Sequence, residues 1–325
     1  MPAVYPLTIP PSLLLAVHGY RKGSLSLSGS VAAATVGYAS LANPHPLFGT
    51  LLLVFYFTGS RATKVKADVK RRYEREAHLA HDDGDAEDGA AVKRGAGEGG
   101  NRSATQVLCN SLTAVVAAAA YRLLVLSPSS DWTKHLPRWM TSEMLLLVAV
   151  GHYSACLGDT LASELGILST SPPRLVIAPW RTVPRGTNGG VSAWGTLVSA
   201  VGGGIIGAAT VACLSFTSAP LTSTKAINVV SLATLAGCAG SMIDSILGAT
   251  LQQTLFSKER GQVLVGSPAA PSSSAPSARR SRLVENEGWE AITGYNILSN
   301  NSVNFIASLV TALGTAHVGT AWSVL

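Results

Sequence analysis

Three carboxylates stand where ionisable groups are scarce. The stretch "GDTLASELG", Gly158 to Gly166, closes the apolar run "MLLLVAVGHYSACL" with Asp159 and Glu164, and Asp244 lies inside "GSMIDSILGATLQQ". A charge at the centre of a membrane helix costs about 2.5–3.5 kcal/mol, so such residues mark sites or pathways. Directly after the first acids comes "PPRLVIAPWRTVPRGTNGGVS", with Arg174, Arg181 and Arg185, no acid, and the turn residues Gly186, Asn188, Gly189 and Gly190. Carboxylates are hard oxygen ligands for a divalent cation, while arginines, backbone N–H groups of a Gly-rich turn and a following helix N-terminus suit phosphate. The loop lacks a Gly-Lys-Ser/Thr ending and so is not a P-loop.

Spacing decides which groups can meet. Gly240, Asp244, Gly248 and Gln252 recur every four residues, with Ser241 and Ser245 beside them, so one face of that helix is small and polar. Asp159 and Ser163 share a face, whereas Glu164, five residues from Asp159, points around the helix; it joins Asp159 only if the helix unwinds near Gly158 or another span supplies a ligand. Plainer readings stand beside these: Asp244 as a cross-helix hydrogen bond in a small-residue interface, Glu164 as partner of a loop arginine, and the loop as an ordinary turn. His152 reads as a packing or hydrogen-bonding residue rather than a catalytic base.

The elements that must position these groups are membrane helices. Hydrophobic residues make up 47% of the 325 and charged residues only 13%, with mean hydropathy +0.31, and the apolar residues come in long blocks rather than short amphipathic periods. The blocks, about 4–20, 25–43, 46–60, 105–126, 141–166, 191–216, 227–255 and 302–321, predict an all-α polytopic protein of about eight transmembrane helices forming one integral membrane domain over 1–325. The first block carries no charge before Arg21 and reads as a retained span rather than a signal peptide. Cys109, Cys156, Cys213 and Cys238 lie inside apolar blocks without metal or redox spacing.

The net charge of +6 is divided unevenly: loops after odd-numbered spans hold 20 Lys and Arg, loops on the other side hold three, and Arg122 lies within a span. The odd side is therefore expected to be cytoplasmic and both termini to face away from it. On that side, 66–104 reads as a charged, mostly disordered loop and 257–288 as a Pro/Ser/Arg-rich one, since neither has the apolar surface to order itself. "KVKADVKRRYER" reads either as a helical extension of the third span or as a basic helix on an anionic leaflet. This topology accounts for the basic charge and leaves no role for nucleic acid. It also brings Lys64, Asn110, Asn300, Asn301 and Asn304 to the leaflet of Asp159 and Glu164, with Gln252 and Ser163 as further polar support. Carboxylates for Mg²⁺ beside basic groups for phosphate make a phosphoryl-transfer site.

The ordered segments "FTGSRATK", "QVLCNS", "GDTLASELGILS", "PWRTVPRGTNGGVSAWGT", "GSMIDSILGATLQ" and "NILSNNSVNFIAS" resemble the transmembrane protein 19 family, which includes plant phytyl-phosphate kinase. More distantly, the Asp-Thr-x-Ala-Ser segment and basic loop resemble polyprenol kinases and phosphatidate cytidylyltransferases. The resemblance implies transfer of a phosphoryl group from CTP or another nucleoside triphosphate to an isoprenoid monophosphate. It implies Asp159, Asp244 and Glu164 as catalytic, metal-linked carboxylates, with Lys64, Arg181 and Arg185 on phosphates and Gly186, Asn188, Gly189 and Gly190 shaping a nucleotide loop. Against it stand a transporter of an anionic lipid or metabolite and a non-catalytic membrane scaffold. Lacking a transit-peptide-like start, the chain is expected in an endomembrane, the endoplasmic reticulum; its oligomeric state is open.

Overall fold

The computed structural model describes residues 5–65, 74–76, 102–126, 140–217, 221–259, 261–265 and 289–325. After a 3-10 turn at Pro6–Thr8 the helices are α1 (Ile9–Arg21), α2 (Leu27–Leu41), α3 (Leu47–Ala62), α4 (Ala104–Cys109), α5 (Leu112–Leu126), α6 (Ser142–Gly166), α7 (Ala193–Thr217), α8 (Ser223–Leu251) and α9 (Asn300–Ala321). Hydroxyl residues mark the starts: Ser26, Ser103, Thr141, Thr222 and Ser299 each accept from a backbone N–H in the first turn of α2, α4, α6, α8 and α9. Ser103 and Gln106 complete a reciprocal capping box on α4.

All eight apolar blocks become helical, the fourth as two pieces broken at Asn110 and Ser111. By length and hydropathy four helices can each cross a bilayer: α6, α7, α8 and α9. The helices α2, α3 and α5 are apolar but only 15, 16 and 15 residues long, or about 23 Å against the roughly 30 Å of a hydrocarbon core. The protein is thus a mostly helical membrane bundle with four candidate spans among the described residues.

α6 is the central helix. It is buried along 83% of its apolar stretch, whereas α8 is buried along only 33%. Leu147, Val150, Tyr153 and Leu157 of α6 share one core with Leu47, Phe48 and Leu51 of α3, Ala117 and Ala118 of α5, Ile206 of α7, Ala233 of α8 and Ala312 and Ala316 of α9. α6, α7 and α8 approach to backbone contact through glycine: a Cβ on Gly158 would lie 2.6 Å from the Gly237 carbonyl oxygen, one on Gly202 2.8 Å from the Gly158 backbone, and one on Gly203 2.3 Å from the Ala233 carbonyl oxygen. Small residues at such crossings let dispersion act between whole backbones in a setting where lipid offers no hydrophobic drive.

Two small sheets modify the all-helical expectation. In the first, β2 (Arg174–Leu175) pairs antiparallel with both β3 (Ala178–Thr182) and β4 (Gly190–Val191), giving the order β3-β2-β4. In the second, β5 (Thr254–Ser257) lies between β6 (Gln262–Val265) and β7 (Trp289–Thr293), with β1 (Glu74–Glu76) added parallel to β6. α8 therefore stops at Leu251, and residues 254–255, assigned above to the seventh apolar block, begin a strand because Gln252 turns extended. α3 ends at Ala62, and 63–65 form a turn. The rest of the two loops expected to be disordered, and most of the basic stretch 64–75, lies outside the described residues.

Contacts sort the helix ends into two sets, as an alternating bundle requires. At one end Gly59 faces Thr160, Trp194 donates to the Leu165 carbonyl, and Ser26 and Arg102 are joined by backbone bonds. At the other, Asn43 Nδ2 donates to Ala118 O at 2.7 Å and Arg122 Nη1 to Ala42 O at 2.9 Å, and Lys225 Nζ donates to Leu325 O at 2.6 Å. Among the described residues, the first end collects Arg21, Lys22, Arg61, Lys64, Arg102, Arg174, Arg181, Arg185 and Lys258, and the second has Arg122 and Lys225.

Candidate functional site

The site is built along the four-residue stripe of α8. Gly240 packs against α6, where an added Cβ would sit 2.4 Å from Ala155 Cβ. One turn on, Asp244 lies within electrostatic range of Asp159 of α6, and Ser241 stands beside Asp159. With its amide turned so that Nδ2 faces them, Asn304 of α9 donates to Asp244 Oδ2 and to Asn300 O, both at 3.1 Å. Another turn on, Gly248 lies beneath Asn188 and Gly189. Gln252, the last of the stripe, is buried and meets Asn300, with Nε2 donating to Oδ1 at 3.5 Å. One face of one helix thus touches α6, α9 and the Gly-rich loop in succession.

The glycines of α6 and α8 explain why the acids meet. Gly158 precedes Asp159 and touches Gly237, one turn before Ser241. That crossing holds the two backbones close and brings the two carboxylates within electrostatic range. No basic side chain among the described residues pairs with either aspartate.

The loop is held down by its own turns. Gly186 and Gly189 have φ of +87° and +76°, and Gly189 fits against Ala249 and the Ser245 carbonyl so tightly that a Cβ would approach them to 2.4 and 2.7 Å. Leu175 and Val183 bury against Ala249 beneath the first sheet. The expected backbone cradle is largely spent internally: Thr187 N donates to Pro184 O, Gly190 N to Thr187 O, and Asn188 N to Thr254 Oγ1 at 3.3 Å. Ser192 likewise accepts from Gly195 N and occupies the α7 N-terminus. These bonds hold the turn closed, the glycines serve close packing, and Asn188 Nδ2 is a buried side-chain donor without a partner.

The remaining residues divide. Asn301 lies in the first turn of α9, beside Asn300. Asn110 ends α4 on α6: its Nδ2 donates to Gln106 O at 2.9 Å, and its carbonyl meets His152 Nε2 at 3.1 Å, which gives buried His152 the hydrogen-bonding role expected of it. Ser163 is exposed and bonds back to Thr160 O, so it is not brought to the pair. Lys64 is exposed beyond the end of α3, whose Gly59 faces Thr160. Arg185 reaches back to Thr170 O at 3.4 Å. Arg181 lies exposed on β3, an edge strand of its sheet. Glu164 does not join the aspartates in a metal-ligating cluster; among the described residues no group of three His, Cys, Asp or Glu side chains forms one. Thr254 completes the site without having been singled out by type, because its role depends on β5 folding back onto α8, whereas Asn300, expected at this leaflet, meets Gln252.

The donor set fits a hard divalent cation. Two uncompensated carboxylates from facing helices, with hydroxyl and amide groups beside them, match the one or two carboxylates by which Mg²⁺ is commonly held, phosphate and water completing its six ligands.

Residues 10–312 match the family described as integral membrane protein DUF92. Protein PGR of Arabidopsis thaliana is 35% identical over 310 residues, 94% of this chain and 92% of its own length. An uncharacterized membrane protein of Methanocaldococcus jannaschii, MJ0933, is 34% identical over 108 residues, 33% of this chain and 41% of its own. Both the family match and the near full-length relative agree with the resemblance read from the motifs. No solved structure matches.

Proposed function

The chain belongs to the DUF92 family of integral membrane proteins, and we propose that it is a membrane-embedded phosphotransferase moving a phosphoryl group from a nucleoside triphosphate, CTP or another, to an isoprenoid monophosphate. The observation that carries this reading is the pair Asp159 and Asp244, on facing helices within electrostatic range and without a basic partner among the described residues, one turn from a loop that presents a buried side-chain amide. The reaction joins an oxygen of the lipid monophosphate to the γ-phosphorus and breaks its bond to the β–γ bridging oxygen, so a nucleoside diphosphate leaves and a lipid diphosphate remains. Mg²⁺, held by Asp159 and Asp244, would supply charge neutralisation on the phosphates.

The chain's own residues position and exclude. Asn304 fixes the Asp244 carboxylate rotamer, as hydrogen bonds to ligating groups generally do. Asn188 Nδ2 donates to a nucleotide oxygen, and Arg185 and Lys64 approach from the basic end. The acceptor is already an anion, so no strong general base is required, and catalysis rests on placement and electrostatics. Cytoplasmic nucleotide reaches the site if the basic end faces the cytosol, as the distribution of Lys and Arg leads one to expect.

The test is to incubate the purified protein in liposomes with Mg²⁺, labelled CTP, ATP or GTP in turn, and phytyl, farnesyl or geranylgeranyl monophosphate. Label appearing in the lipid diphosphate supports the reading. Folded protein that yields no diphosphate with any pair, while labelled lipid phosphate crosses the bilayer, replaces it with transport.

A further inference from the structure

The first sheet carries a feature that the acid pair does not use. β2 and β3 form a hairpin whose inner side, Leu175 with Val176, Ala178 and Val183, packs toward Ala249 of α8. Its outer side is uncovered: Trp180 is 81% exposed and Ile177, at the turn, 47%. Arg181 beside Trp180 is exposed and has no ion pair among the described residues, and Arg174 is held across the hairpin by donating to Pro179 O at 2.9 Å. From Ile167 to Ser192 there are three arginines and no acid.

Connectivity fixes where this hairpin sits. The chain leaves one spanning helix at Gly166 and enters the next at Ala193, so the sheet lies at the membrane boundary. Trp194, in the first turn of α7, is 45% exposed, with its Nε1 on the Leu165 carbonyl, an arrangement suited to the interface, where indoles collect. Tyr295 and Ile297, 74% and 67% exposed, stand before α9 at the same end. Aromatic tips with arginines that have no ion pair among the described residues match the acyl-glycerol boundary and phosphates of an anionic leaflet, each basic group there being worth about 1 kcal/mol.

We propose that the β2–β3 hairpin is a lipid-docking element, with Trp180 and Ile177 inserted at the acyl boundary and Arg181 and Arg174 on the phosphates of anionic lipids. The occupant is the bilayer itself rather than a protein partner, because the exposed apolar side chains are continuous with the spanning helices and the charge is wholly basic. By the same hairpin the glycine loop, one strand away, is tied to the leaflet.

The experiment uses the full chain in nanodiscs of phosphatidylcholine alone or with phosphatidylglycerol. The Trp180 contribution is isolated as the fluorescence difference between the wild type and Trp180→Phe, a substitution that keeps an aromatic ring. The expected result is strong quenching of that difference by lipids brominated near the headgroup, little quenching by aqueous iodide, and phosphatidylglycerol enrichment around the protein that falls at least threefold in Arg174→Gln/Arg181→Gln. Quenching by iodide and not by brominated lipid overturns the proposal. Shielding from both quenchers, with concentration-dependent association, assigns the hairpin to a second copy and overturns it equally. Thermal unfolding of each variant separates loss of docking from loss of fold.

Discussion

At the residue scale, the proposed chemistry rests on two aspartates and the groups beside them. Asp159→Asn and Asp244→Asn keep shape and hydrogen bonding but remove charge, so each is expected to lower transfer by about 100-fold to 1,000-fold with unfolding temperature retained or raised. Assay and melting of the same detergent-solubilised samples check both halves of that statement. Asn188→Ala removes a donor with no partner inside the protein, so it is expected to raise the nucleotide KM about tenfold and leave stability nearly unchanged. These carboxylates were legible as residue types in an improbable place. That Asp244 meets Asn304 was legible only as a shared membrane end, since helix periodicity gives the face of α8 and not which helix lies opposite.

At the element scale, the four-residue stripe on α8 could be read directly, and each of its members has a contact. The sheets could not: β2 and β4 are two residues long, too short for a period-2 signal, and their pairing depends on the glycine turns between them. The break between α4 and α5 has no Pro or Gly to announce it and is made by Asn110 bonding back to Gln106 O. Close packing predicts a contrast between two left-handed glycines. Gly189→Ala meets both a φ of +76° and Ala249, whereas Gly261→Ala meets a φ of +62° in open space. The first is expected to cost about 1–3 kcal/mol more than the second, read from denaturation midpoints.

A pH effect belongs to the turn before α3. His45 Nδ1 accepts from Leu47 N at 3.2 Å, and burial holds its pKa below the ordinary value near 6.5. The folded protein thus binds fewer protons here than the unfolded chain, so this contribution to stability is complete above pH 6.5 and lost as pH falls through the depressed folded value. His45→Asn is expected to flatten the fall in melting temperature between about pH 7.5 and 5.

At the scale of the whole molecule, helix ends sort into a basic end that carries the site and an opposite end with both termini. The sequence pattern foretold this sorting because membrane insertion writes orientation into Lys and Arg placement. It overstated the evenness of the spans, since apolar blocks of 15 or 16 residues look like longer ones until their ends are capped. Single cysteines at Lys64 and at Trp322, in an otherwise cysteine-free chain, are expected to react with impermeant maleimide from the cytosolic and the opposite face respectively.

The central claim is that Asp159 and Asp244 are one site. A double-mutant cycle on phosphoryl transfer to prenyl monophosphate in liposomes tests it most directly. Groups that act as a unit lose most of their effect with the first removal, so Asp159→Asn/Asp244→Asn is predicted to be no slower than the slower single variant. Losses that multiply, or a double variant that retains wild-type transfer, would contradict the account.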